Sequence, residues 1–118
     1  MNKHKDFLVT TPFWFTEFYK SLSERDVFCL KTSAIIAATG KSREYISRLF
    51  KKAVGRTLVD YLNACRIEYA KKMLISSSSD IIEISLECGY ENLSTFYHLF
   101  KSKTGISPKK YRDNCKRL

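Results

Sequence analysis

The chain is 118 residues long and carries 21 Lys and Arg against 12 Asp and Glu, a formal charge of +9 that favours polyanionic partners and leaves room for only a small core. Its 44% hydrophobic and 14% aromatic content is enough to offset chain entropy, which excludes a disordered basic tail. Apolar runs such as Ala34 to Ala38 are only a few residues long, which excludes a membrane-spanning helix or a secretory signal after the polar start Met1-Asn2-Lys3-His4-Lys5 and points to the cytoplasm.

Helix signals follow one another along the chain, and no strand is expected. Thr11-Pro12 reads as an N-cap followed by Pro at the first helical position, opening a helix with Phe15, Phe18, Tyr19 and Leu22 on its apolar face. Ser33 is placed to cap a short helix bearing Ile35, Ile36 and Ala38, which Gly40 ends. Ser42 caps the next, which runs to about Val54 with Gly55 just past its end. Thr57 and Asp60 resemble a capping box and open a long helix whose expected apolar face is Leu58, Tyr61, Leu62, Cys65, Tyr69 and Met73. The serine run from Ser76 to Ser79 breaks it. Asp80 then caps a short helix ending at Gly89, Asn92 caps one reaching about Thr104 before Gly105, and Ser107-Pro108 starts the last. The expected fold is all-α with about seven helices.

This punctuation repeats. Ile35 and Gly40 return 49 positions later as Ile84 and Gly89. With an offset of 50, Leu49-Phe50-Lys51 returns as Leu99-Phe100-Lys101, Gly55 as Gly105 and Tyr61 as Tyr111. Each copy is a short helix, a glycine turn and a longer helix, the helix-turn-helix layout.

Charge follows the same division. Residues 41–56 carry +5 and residues 98–118 carry +6, with −3 between them and +1 over residues 1–40. In the first long helix Tyr45, Ile46, Leu49, Phe50 and Ala53 form the apolar face, leaving Glu44, Ser47, Arg48 and Lys51 as an outward stripe. The offset predicts Ser94, Tyr97, His98 and Lys101 as its counterpart, with Phe96, Leu99 and Phe100 inward. Such stripes suit a major groove, where polar side chains reach base edges. The candidate base readers are therefore Glu44, Ser47, Arg48, Ser94, Tyr97 and His98. Arg48 can fork onto both acceptors of a guanine or pair with Glu44. Glu44 can accept from cytosine or orient Arg48, Tyr97 can read a base or pack on the turn, and His98 can read a base or stay solvated. Candidate phosphate contacts are Lys41, Ser42, Arg43, Lys51, Lys52, Arg56, Asn92, Lys101, Lys109, Lys110 and Arg112.

No catalytic set is apparent. There are two His, no Gly-rich phosphate loop and no nucleophile–base arrangement, so no enzyme and no cofactor are expected. Cys29, Cys65, Cys88 and Cys115 lack metal-ligand spacing and are expected to be reduced core thiols.

Taken together, Gly40-Lys41-Ser42-Arg43-Glu44-Tyr45-Ile46-Ser47-Arg48-Leu49-Phe50-Lys51-Lys52, Arg66-Ile67-Glu68-Tyr69-Ala70-Lys71-Lys72-Met73-Leu74, the stretch from Ile81 to Tyr90 and Phe100 to Arg112 resemble the DNA-binding domain of AraC/XylS transcription regulators. The resemblance covers roughly Leu30 to Arg112. It implies two helix-turn-helix units (residues 31–56 and 77–114) joined by a linker helix (57–76) after an N-terminal lead-in with one helix (1–30). It further implies sequence-specific binding of a double-stranded DNA operator in successive major grooves, on the bacterial nucleoid when bound. By position the family's base-reading residues fall on Glu44, Ser47, Arg48, Ser94 and His98. His98 departs from the Arg common at its position, and Ile36 and Ser85 stand where the family places a small Ala. Relatives of this kind usually carry a sensor or dimerisation domain, which is expected to be missing from this chain. Thr11-Pro12-Phe13-Trp14-Phe15 faintly resembles regulators of sugar operons. A charge-only nucleic-acid binder, the DNA-binding module of a repair protein, and a surface touching RNA polymerase are the other readings.

Overall fold

Helices make up all the regular secondary structure of the computed structural model, which describes residues 11–116. In chain order they are α1 (Phe13–Ser21), α2 (Arg25–Phe28), α3 (Thr32–Ala37), α4 (Arg43–Val54), α5 (Leu58–Ser76), α6 (Ile81–Glu87), α7 (Leu93–Thr104) and α8 (Pro108–Lys116). The one element that the periodicity does not signal is α2, a single turn too short to show a period. Residues 1–10 of the expected lead-in lie outside the described residues.

Most helix ends fall where the capping chemistry puts them. Ser42 Oγ accepts from the Tyr45 N–H at 3.1 Å, Thr57 Oγ1 from Asp60 N–H at 3.0 Å, and Ser107 Oγ from Lys110 N–H at 3.1 Å. Asn92 Oδ1 accepts from both Ser94 and Thr95. Gly55 and Gly105 each adopt φ 88° at the ends of α4 and α7, a conformation that costs glycine little and other residues about 1 kcal/mol or more. Three starts differ from expectation. Pro12, rather than Thr11, occupies the N-cap position of α1, with no side-chain capping bond. Lys31, not Ser33, precedes α3, so that helix opens two residues earlier. Asp80 sits at the N-cap of α6 without a side-chain capping bond.

The chain divides into two units after Leu62. The first buries Phe15, Leu22, Phe28, Ile35, Ile36, Ile46, Phe50, Leu58 and Leu62. Its aromatic side chains interlock, with Phe15 6.0 Å from Phe50 and Tyr19 5.3 Å from Tyr61 between ring centroids. The core of the second unit is Ile67, Ala70, Leu74, Ile84, Cys88, Tyr90, Phe96 and Phe100. The repeat extends to ring geometry. Phe50 meets Tyr61 edge-on at 5.7 Å, and their counterparts Phe100 and Tyr111 meet edge-on at 5.5 Å.

The buried line of α5 corrects the expected one. Leu58, Leu62, Arg66, Ala70 and Leu74 are buried together with Asn63 and Ile67, whereas Tyr61, Cys65, Tyr69 and Met73 are half-buried. Positions four apart are offset by about 40° around a helix, so this line winds around the axis instead of keeping to one face. A search for one straight apolar stripe therefore finds Leu58 and Leu62, the ring of Tyr61 against Phe50 and the partly buried Tyr69 and Met73, but misses Asn63, Ile67, Ala70 and Leu74. It also passes over Arg66, 4% exposed, whose guanidinium lies 5.5 Å from the Tyr90 ring centroid. In the position equivalent to Ile36, Ser85 is buried, and its hydroxyl has no hydrogen-bond partner.

Candidate nucleic-acid interface

Each unit presents its longer helix in the same register. On α4, Ile46 and Phe50 are fully buried and Tyr45, Leu49 and Ala53 half-buried, so Glu44, Ser47, Arg48 and Lys51 stand exposed along one side. On α7, Phe96 and Phe100 are buried and Leu93 and Leu99 half-buried, leaving Ser94, His98 and Lys101 exposed and Tyr97 half-buried at the margin of the stripe. The apolar faces thus force the two polar stripes outward, since the same 3.6-residue period sets both. Among the described residues Glu44 and Arg48 do not form an ion pair, so the Arg48 guanidinium is available to an outside acceptor.

The turn before α4 is held locally. Thr39 Oγ1 donates to the Ile36 carbonyl at 2.6 Å and accepts from the Lys41 N–H at 3.1 Å, which carries the chain around Gly40 to the Ser42 cap. Because the Oγ of Ser42 and the Oδ1 of Asn92 accept capping bonds, what these two side chains have left for an anion is the Ser42 hydroxyl proton and the Asn92 amide N–H groups.

The basic residues expected to contact phosphate separate into three groups. Arg43, Lys51, Lys52, Lys101, Lys109 and Lys110 are exposed on α4, α7 and the first turn of α8. Lys41 and Arg56 are exposed but lean on aromatic rings. Lys41 Nζ lies 5.2 Å from the Trp14 centroid, and the Arg56 guanidinium 5.9 Å from that of Tyr61 while also donating to the Asp60 carbonyl at 3.3 Å. Arg112 differs from both. Its Nε donates to the Leu74 carbonyl at 3.0 Å and its Nη2 to the Ser77 carbonyl at 3.1 Å. It closes the C-terminal end of α5, an intramolecular duty that the sequence reading, which placed Arg112 among the phosphate contacts, did not assign to it.

The sequence reading missed this clamp, the burial of Arg66 and the bond from Tyr90 to Asn63, because nothing local signals a partner so far along the chain. Burial pushes the Tyr90 hydroxyl above the ordinary tyrosine range, against the opposing influence of Arg66. Among the described residues the four thiols are not joined in disulfides, with Cys88 buried and the others half-buried, and no cluster of three or more His, Cys, Asp or Glu could hold a metal ion. No described helix is long and apolar enough to cross a membrane.

A family model described as a helix-turn-helix domain matches residues 35–114. The chain is 39% identical over 84 residues to the xylose operon regulatory protein of Escherichia coli (strain K12), a match that covers 71% of this chain and 21% of that protein. It is 40% identical over 72 residues to the bifunctional transcriptional activator/DNA repair enzyme AdaA of Bacillus subtilis (strain 168), covering 61% of this chain and 34% of that one. Among solved structures, the C-terminal domain of the two-component response regulator yesN from Fusobacterium nucleatum superposes with a TM-score of 0.64 at 30% identity, over 80% of this chain and 89% of that domain.

Proposed function

The chain belongs to the AraC/XylS-type helix-turn-helix family, whose members among its relatives are transcription regulators, and from that premise we propose that it binds specific duplex DNA sequences to regulate transcription. The observation that carries the proposal is the pair of outward stripes in one register, the exposed Glu44, Ser47, Arg48 and Lys51 on α4 and the exposed Ser94, His98 and Lys101 on α7 with half-buried Tyr97 at their margin. In each stripe the residues nearest the helix N-terminus face base edges, and the Lys one turn further on faces phosphate. Arg43, Lys52, Lys109 and Lys110 add sequence-independent contacts, with Lys41 and Arg56 at the flanks of α4.

In this reading α4 and α7 enter successive major grooves, about 34 Å apart along the duplex. Arg48 takes the most specific role, since its planar fork matches the paired acceptors of guanine. The chain spans 21% of the length of the xylose operon regulatory proteins it matches. A sensor or dimerisation domain, a contact with RNA polymerase and a cytoplasmic, nucleoid-bound location are therefore parts of the proposal that concern the whole regulator.

The test is selection of the chain on random duplexes at near-physiological salt, followed by sequencing of the bound pool. Two enriched motifs about one helical turn apart are expected. A single motif would confine base reading to one unit, and an unenriched pool would replace the proposal with binding by charge alone.

A further inference from the structure

We infer that Trp14 is a positioning residue for nucleic-acid binding, its indole holding the Lys41 ammonium at the leading edge of α4. Lys41 immediately precedes the Ser42 cap, and its Nζ lies 5.2 Å from the Trp14 ring centroid. The same ring lies 6.2 Å from that of Tyr45, whose N–H the Ser42 cap accepts. One side chain of α1 therefore touches both flanks of the turn that starts the candidate recognition helix.

The platform itself is rigidly seated. Phe15, the next residue, is fully buried and packs 6.0 Å from Phe50 of α4, and Tyr19 packs 6.2 Å from the same ring. A cleft of about 550 Å³ is lined by both Trp14 and Lys41. The Lys41 stem thus has open space to wander into, and the indole is the contact that keeps its charge beside α4. A lysine restricted in this way loses less rotamer freedom when it meets a phosphate, and the residue remains exposed to solvent. Trp14, which contacts both Lys41 and Tyr45, precedes residue 35, where the helix-turn-helix match begins, so the lead-in helix is a working part of the binding unit.

The inference rests on the reading of Lys41 as a phosphate contact. It is tested on a labelled random-sequence duplex, which needs no knowledge of the operator, by following affinity against salt for Trp14→Leu, Trp14→Phe, Lys41→Met and the two double variants. Helicity and melting are recorded alongside. Lys41→Met is expected to lower the salt slope by about one. Trp14→Leu should weaken binding by about two- to fivefold, the size of an exposed cation–π contact, and Trp14→Phe should recover part of that loss. Neither Trp14 substitution should weaken binding further when Lys41 is already Met. If the losses from Trp14 and Lys41 multiply instead, or if Trp14→Leu binds like the parent chain, the positioning role is overturned. If Lys41→Met changes neither affinity nor slope, the phosphate role of Lys41 falls with it. Should Trp14→Leu lose helicity, the milder cycle of Trp14→Phe with Lys41→Met decides by the same criterion.

Discussion

The hydroxyl of Tyr90 donates to the side-chain oxygen of Asn63 at 2.8 Å, a buried bond between residues 27 positions apart that ties the turn after α6 to α5. Both partners are almost excluded from solvent, so neither can turn to water if the other is removed. Tyr90→Phe should therefore cost about 1–3 kcal/mol of stability, the penalty for an orphaned buried acceptor. Urea unfolding followed by far-UV circular dichroism measures it, and an unchanged midpoint would show that the bond contributes nothing net.

The same tyrosine carries a pH signature. Because burial raises its folded value above the ordinary 10.0, the unfolded chain gives up this proton first as pH rises. Its stabilising contribution is thus complete below pH 10 and is lost progressively above it. Stability measured from pH 8 upward should fall less steeply in Tyr90→Phe than in the parent chain. Equal slopes would remove Tyr90 as a source of alkaline sensitivity.

Ser85 invites the opposite substitution. Its hydroxyl is buried without a partner where the first unit has Ile36, so Ser85→Ala removes an unsatisfied polar group at the cost of one oxygen's volume. A gain of about 1 kcal/mol is expected. A loss on unfolding in urea would mean that the hydroxyl does find an acceptor in solution.

Arg112 and Lys51 should separate cleanly. Arg112→Met removes two bonds to the end of α5 and should lower stability by about 1–3 kcal/mol while leaving the salt dependence of DNA affinity unchanged. Lys51→Ala should do the reverse, reducing the salt slope by about one with little effect on unfolding. A reduced slope in Arg112→Met would return that residue to the phosphate-binding set.

Arg48→Ala should cost about 1–3 kcal/mol on a selected duplex and relax preference at one base pair, because a bidentate reader discriminates only where its base is present. Competition between selected and random duplexes provides the measurement. Equal losses on both would reassign Arg48 to phosphate. His98→Ala should relax preference in the second half of the selected site, and a change confined to the first half would overturn the register assigned to α7.

The all-helical character, the two repeated units, most of the caps and the outward stripes were legible in the chain because each depends on residues within one or two helical turns. Ser42 and Asn92 meet the N–H groups they cap two or three positions on, and the 3.6-residue period that buries Phe50 and Phe100 also turns Arg48 and His98 outward. Tertiary structure decided the rest. Arg112 reads as one more exposed cation until packing brings α8 to the end of α5, 38 positions back, where carbonyls left over by the helix await a donor. Arg66 joins a buried line because the Tyr90 ring covers it, and Lys41 leans on Trp14 because Phe15 and Phe50 pack α1 against α4. In each case the partner lies far away in sequence, and only the shape of the packed core determines which distant groups meet.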